Sequence, residues 1–199
     1  MTDKEALFTY RLKQAEESGW RKLRNFMLSE LEVLKTITTR LDSAGIPYMV
    51  SGSIAANFYT TPRMTRDIDI VIELRKEDAD TLISLFSDDF YIDIESVKVA
   101  IRDKEMFNII HNEAVIKVDF IVRKETAYRK IEFERRRSII FEGLRIYITS
   151  PEDLIISKLY WAKDSFSEIQ IMDVENLINT LPGLDKRKIK DIFRSGCNS

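Results

Sequence analysis

The chain has 199 residues, of which 44% are hydrophobic and 32% charged, with a formal net charge of −2. That balance suits one globular domain with helical additions and argues against a wide basic face for gripping duplex DNA. A single cysteine, Cys197, excludes an internal disulfide framework and a cysteine-rich zinc site and fits a cytoplasmic setting, while no apolar run approaches the ~20 residues of a membrane span and the charged opening lacks a signal-peptide core.

In chain order, residues 4–18 read as a short polar helix and residues 20–44 as a longer one. The second carries Leu23, Phe26, Met27, Leu31, Leu34, Ile37 and Leu41 at three- and four-residue steps, and Gly45-Ile46-Pro47 stops it. Tyr48-Met49-Val50 reads as a short strand, Ile54–Tyr59 as a helix begun at Ser53, Asp67–Leu74 as a strand and Glu77–Phe86 as a helix. Residues 90–102 read as extended. Met106–Ile110 and Ala114–Val122 form a predicted hairpin, residues 125–136 a helix, and Ser138–Phe141 with Leu144–Ile148 a second hairpin around Glu142-Gly143. Ser150-Pro151-Glu152-Asp153 is a strong helix start, with a Ser cap, Pro in the first turn and Asp three residues after the cap. Helices are expected over Leu154–Lys163, Glu168–Leu181 and 185–195. The fold class is therefore α+β, a small mixed sheet with helices before and after it.

Asp67-Ile68-Asp69 places two acids inside a β-branched run. Side chains alternate along a strand, so both carboxylates share one face about 7 Å apart while Ile68, Ile70 and Ile72 take the other. Two acids on one buried face repel, and a hard divalent cation such as magnesium or manganese satisfies them; a solvated strand edge is the plainer alternative for the pair alone. A third acid, Asp119, lies in the apolar run Val115–Val122, and three carboxylates on two adjacent strands suit two metal ions that carry the phosphates of a nucleoside triphosphate. Gly52 and Ser53 open a helix after a strand. Glycine lets a backbone approach a ligand, and the amides at a helix start attract phosphate. An ordinary tight turn is the plainer alternative. Arg63 and Arg66 lie between turn and acids, placed to neutralise phosphate or to pair with carboxylates, although a solvated loop charge is the favoured reading of Arg66.

Val50-Ser51-Gly52-Ser53, Arg63-Met64-Thr65-Arg66-Asp67-Ile68-Asp69-Ile70 and Val118-Asp119-Phe120 together resemble the signature of the DNA polymerase β-type nucleotidyltransferases. The segment from Pro62 to Ile70 is similar to the bacterial AbiEii-type branch. Ser150–Leu159 and Ser167–Val174 resemble that branch's later helices, so the resemblance spans residues 45–180. It implies a nucleotidyltransferase core over residues 45–150, an N-terminal helical extension over 1–44 and a C-terminal helical segment over 151–199 packed on the core. It also implies transfer of an NMP group from an NTP to a hydroxyl of a tRNA end, a protein side chain or a small molecule such as an aminoglycoside, the toxin–antitoxin-like resemblance favouring the first two. By the same resemblance Asp67, Asp69 and Asp119 are metal-binding and catalytic, Gly52, Ser53, Arg63 and Lys158 contact the nucleotide, and Asp173 is an accessory residue. An inactive nucleotide- or protein-binding module on this fold is the alternative. The N-terminal helices are a candidate homodimer surface.

Several other residues have two readings. Lys158 is either a phosphate contact or a lysine snorkelling past its own helix, and Asp173 is as readily a helix-surface acid. His111, the only histidine, falls at a predicted turn, which favours a solvated residue over a catalytic one. Arg135-Arg136-Arg137 reads as a solvated face rather than an RNA contact, and Tyr160 with Trp161 as core packing rather than a base-stacking surface. Cys197 has no assigned role.

Overall fold

The computed structural model describes the backbone of residues 21–65, 67–165 and 167–196, and side chains within 29–65, 67–162 and 167–193. The expected helix over 4–18, Arg66 and Cys197 lie outside the described residues. Helix α1 spans Arg21–Ser43, followed by β1 (Tyr48–Val50), α2 (Gly52–Tyr59) and β2 (Asp67–Ile72). Then come a 3-10 turn (Lys76–Asp78), α3 (Ala79–Phe86), β3 (Phe90–Ile92), α4 (Ile94–Asp103), β4 (Met106–His111) and β5 (Lys117–Val122). The chain continues through α5 (Ala127–Glu134), β6 (Arg137–Phe141), β7 (Leu144–Ile148), α6 (Pro151–Ser165), α7 (Glu168–Thr180) and α8 (Lys186–Gly196).

The strands form one seven-stranded mixed sheet in the order β3-β4-β5-β2-β1-β7-β6. Strand pairs β2–β5 and β1–β7 are parallel, and the remaining neighbours are antiparallel. Strand β2 alternates as its sequence predicts: Ile68, Ile70 and Ile72 are fully buried, and the residues between them are half-buried. Val118, Phe120 and Val122 of β5 join the same core, as do Leu34, Ile37 and Leu41 of α1. Burying such side chains stabilises by roughly 1.5–3 kcal/mol each, which fixes the register and so the face on which the acids stand.

One expectation fails outright. Residues 94–103 are helical rather than extended. The Asp93 side chain accepts hydrogen bonds from the amides of Glu95 and Ser96 and caps the helix start. Val97, Ala100 and Ile101 then lie inward at helical spacing. The cap and the period of three and four outweigh the β-branched composition that suggested a strand.

The basic run is also not a solvated face. Arg135 holds the fully buried Asp153 with two guanidinium nitrogens, Arg136 lies over the rings of Phe133 and Tyr147, and Arg137 pairs with Glu152. Asp153 also exchanges hydrogen bonds with Ser150, so the predicted cap of α6 doubles as an anchor between that helix and the residue following α5. Removing one partner of a buried ion pair leaves a charge without compensation. Asp153→Ala is expected to destabilise the fold by about 3 kcal/mol, read as a lower urea midpoint at unchanged m-value. A loss below about 1 kcal/mol would place the pair in the class of weak surface bridges.

Candidate functional site

The geometry starts from one glycine. Gly52 follows β1, opens α2 and has φ +58°, a conformation that favours a residue without Cβ. A Cβ there would stand 1.8 Å from Asp69 Oδ2. The Asp69 carboxylate therefore packs directly on the bare α-carbon, and any side chain at position 52 would drive that carboxylate from its place. The Ser51 amide donates to the Asp69 carbonyl at 2.8 Å, which locks the turn to β2.

The parallel register of β2 and β5 places Asp67 opposite Lys117 and Asp69 opposite Asp119. The three predicted acids thus share one face on adjacent strands. With Gly52, Ser53 and Lys158 they line a cleft of about 290 Å³. Burial, together with the charges of Asp119 and Asp67, pushes the Asp69 carboxyl up to about 6. Lys117, which the sequence reading passed over, answers part of that charge. Its ammonium lies 2.8 Å from Asp119 Oδ2 and 3.6 Å from Asp67 Oδ1. The hydrogen bond to Asp119 in turn holds this ammonium above the ordinary lysine range. The signal was present: Lys117 is two residues before Asp119, so alternation puts both on one face.

A second network closes the other wall. Arg63 donates to both oxygens of Asp173 at 2.8 Å and to Ser53 Oγ at 2.6 Å. Lys158 Nζ donates to Asp173 Oδ2 at 2.7 Å and to Gln170 Oε1 at 3.0 Å. Burial alone would raise the Asp173 carboxyl, but the hydrogen bonds from Arg63 and Lys158 outweigh it and hold it below the ordinary range. Burial also depresses the Lys158 ammonium, against the pull of Asp173. Neither residue is at the surface: Lys158 is 3% exposed and Asp173 5%. Lys158 therefore does not snorkel, and Asp173 is not a helix-surface acid. Asn57 exchanges hydrogen bonds with the Arg63 backbone in both directions and so fixes the loop that carries it. The sequence reading also missed Asn57 and Gln170, since a single amide on a helix carries no spacing signal.

Other candidates fall elsewhere. His111 accepts a hydrogen bond from the Ala114 amide and packs edge-on against Phe90 at the sheet's far edge. Tyr160 and Trp161 are 50% and 62% exposed, so they are not core residues; Trp161 lines the cleft.

The donor set suits a hard divalent ion: carboxylate oxygens, one of which, Asp119 Oδ1, is buried without a hydrogen-bond partner. As they stand, no three acids among the described residues are drawn together into a preformed cage. The Lys117 ammonium holds two of them instead. Lys117→Met is expected to tighten Mn²⁺ binding roughly twofold to fivefold, the equivalent of one partly exposed ion pair, in a titration followed by paramagnetic resonance. Weaker binding in the variant would show that the lysine supports the metal rather than competing with it.

Comparisons with known proteins bear on the fold and the family. No curated protein matches the sequence. Among solved structures, ANT(2″)-Ia in complex with adenylyl-2″-tobramycin is 15% identical with a TM-score of 0.59, over 84% of this chain and 98% of that one. The lincosamide antibiotic adenylyltransferase LnuA, lincomycin-bound, is 14% identical with a TM-score of 0.52, over 74% and 96%. An antigenic nucleotidyltransferase-like protein from Paracoccidioides brasiliensis is 16% identical with a TM-score of 0.52, over 82% and 85%. At such identities these likenesses speak for the fold. The family rests on the sequence itself: residues 33–162 match the model for aminoglycoside-2″-adenylyltransferase, and the chain belongs to that family of nucleotidyltransferases.

Proposed function

We propose that Asp67, Asp69 and Asp119 hold magnesium or manganese, and that this nucleotidyltransferase moves an NMP group from an NTP to a hydroxyl acceptor through the cleft they line. The observation that carries the reading is the register pair of Asp69 and Asp119 beneath the bare carbon of Gly52. An inactive binding module on the same fold has no need of three acids on one face, with the buried Oδ1 of Asp119 left unpartnered.

When bound, the divalent ion neutralises phosphate charge and makes the attacking hydroxyl more acidic. The chain's own residues do the rest. The amides at the start of α2 and the Ser53 hydroxyl receive phosphate oxygens. Ser53 Oγ already accepts from Arg63, so its hydrogen is left to point at the ligand. Lys158, held by Asp173 and Gln170, presents fixed positive charge to the phosphates. Asp119 Oδ1 takes the proton from the acceptor hydroxyl. The hydroxyl oxygen bonds to the α-phosphorus, the bond to the β-phosphate bridge breaks, and pyrophosphate leaves.

The AbiEii-type resemblance of the segment from Pro62 to Ile70 supports the end of a tRNA or a protein side chain as the acceptor, with a toxin-like role. The family match favours a second reading, an antibiotic hydroxyl. Asp119→Asn should lower transfer from α-labelled ATP at least a thousandfold while leaving far-UV dichroism unchanged. Retained transfer in this variant would remove Asp119 from the chemistry.

Proton competition gives a separate check. With Asp69 pushed up to about 6, the metal must displace a proton below that pH. Mn²⁺ affinity is expected to fall about tenfold between pH 7 and pH 5. The sign for stability is opposite. The upward shift means that protonated Asp69 favours the fold, and this contribution is lost as pH rises from 3.8 to about 6. A metal affinity independent of pH over this range would mean that Asp69 is not a ligand.

A further inference from the structure

Beside the metal cleft lies a second cleft of about 270 Å³ whose lining includes Arg123, Lys124, Arg129, Glu132, Tyr160 and Trp161. The two share Ser51, Ile121, Ser157 and Trp161. They also share the sheet face: Val71 follows Asp69 and Ile121 follows Asp119 at the next same-face position. The second cleft therefore adjoins the one that holds the acids.

We propose that this second cleft is the acceptor site and that it selects a phosphate-bearing hydroxyl compound with a planar ring, the chemistry of a nucleotide or an RNA end, over a polyamine. The inference rests on the nucleotidyl-transfer reading. Its basis is the charge inventory of the walls. Three cations face one carboxylate, Glu132, which is 2% exposed and already saturated by Arg129 at 2.7 Å and Ser157 at 3.0 Å. Lys124 is exposed and has no ion-pair partner among the described residues. Arg123 is 9% exposed, and its Nε is buried with no acceptor, although its NH2 group reaches Glu73 and Glu125. Next to these donors, Tyr160 and Trp161 are more than half or half exposed on α6.

A polyamine entering here would lose water from each ammonium, and the acids around the second cleft are already engaged, Glu132 by Arg129 and Ser157 and both Glu73 and Glu125 by Arg123. Asp173, beside the metal cleft, is saturated by Arg63 and Lys158. A phosphate meets Lys124 and Arg129, and a base or other flat ring meets the indole and phenol faces. In the transfer the acceptor oxygen bonds to the α-phosphorus, its proton passes to Asp119, and pyrophosphate departs with the electrons of the broken bond.

The test uses the full chain with ATP and Mn²⁺ and follows pyrophosphate release on adding an RNA tetranucleotide with a free 3′-hydroxyl, cytidine monophosphate or tobramycin. ATP binding is titrated separately. Stimulation at least tenfold by the tetranucleotide supports the inference with RNA as the source. Stimulation by the mononucleotide alone supports it with a small molecule as the source. Lys124→Glu should reduce either response about tenfold through a raised KM rather than a lowered kcat. Stimulation by tobramycin, no stimulation by either nucleotide probe, or an unchanged KM in Lys124→Glu overturns the acceptor inference while ATP still binds. Absence of ATP binding by the native chain overturns the transfer reading itself.

Discussion

Three carboxylates on one face of two adjacent strands repel one another, and the rest of the site is arranged around that repulsion. The sheet register forces the contact: Asp69 and Asp119 are cross-strand neighbours because Ile68, Ile70, Val118 and Phe120 must be buried on the opposite face. Gly52 brings the α2 backbone against Asp69 and removes water from it, which adds desolvation to the repulsion. Positive charge then has to come from elsewhere. Lys117 supplies it across Asp67 and Asp119, and Lys158 supplies it at longer range to Asp69. A site in this condition gains more from a divalent ion than a solvated acidic pair would.

The second network explains why the C-terminal helices belong to the site. Asp173 is carried by α7, Lys158 by α6 and Ser53 by α2, while Arg63 comes from the segment before β2. Their hydrogen bonds join four parts of the chain into one wall. Lys158 and Asp173 are both buried, so neither charge is tolerable alone, and Arg63 adds the second cation that keeps Asp173 ionised. The wall is thereby stiff where the proposed reaction would receive phosphate charge, which fits chemistry carried out by positioning and electrostatics.

Much of this was legible in the sequence. Period-two alternation gave the shared face of Asp67 and Asp69, and the apolar frame of Asp119 marked a third acid on a strand. The start of α6 at Ser150 followed from its cap, proline and acid. Other parts were hidden for physical reasons. Helix α4 looked like a strand because Ile94, Val97, Val99 and Ile101 are β-branched or aliphatic, and only the Asp93 cap and the tertiary packing of Val97, Ala100 and Ile101 decide it. The partners of Arg135 and Arg137 lie about fifteen residues or more away, beyond any local pattern. Trp161 was read as core because it follows Leu159 and Tyr160 in one helix, yet the helix lies at the lip of two clefts and exposes the ring.

The shared metal site is best tested by crystals of the protein soaked with manganese and a non-hydrolysable ATP analogue, read at the manganese absorption edge. The account predicts anomalous density between Asp67, Asp69 and Asp119, the triphosphate on the Gly52–Ser53 turn, and the Lys117 ammonium displaced from Asp119. Density elsewhere, or a bound triphosphate with Lys117 still bridging Asp67 and Asp119, would contradict it.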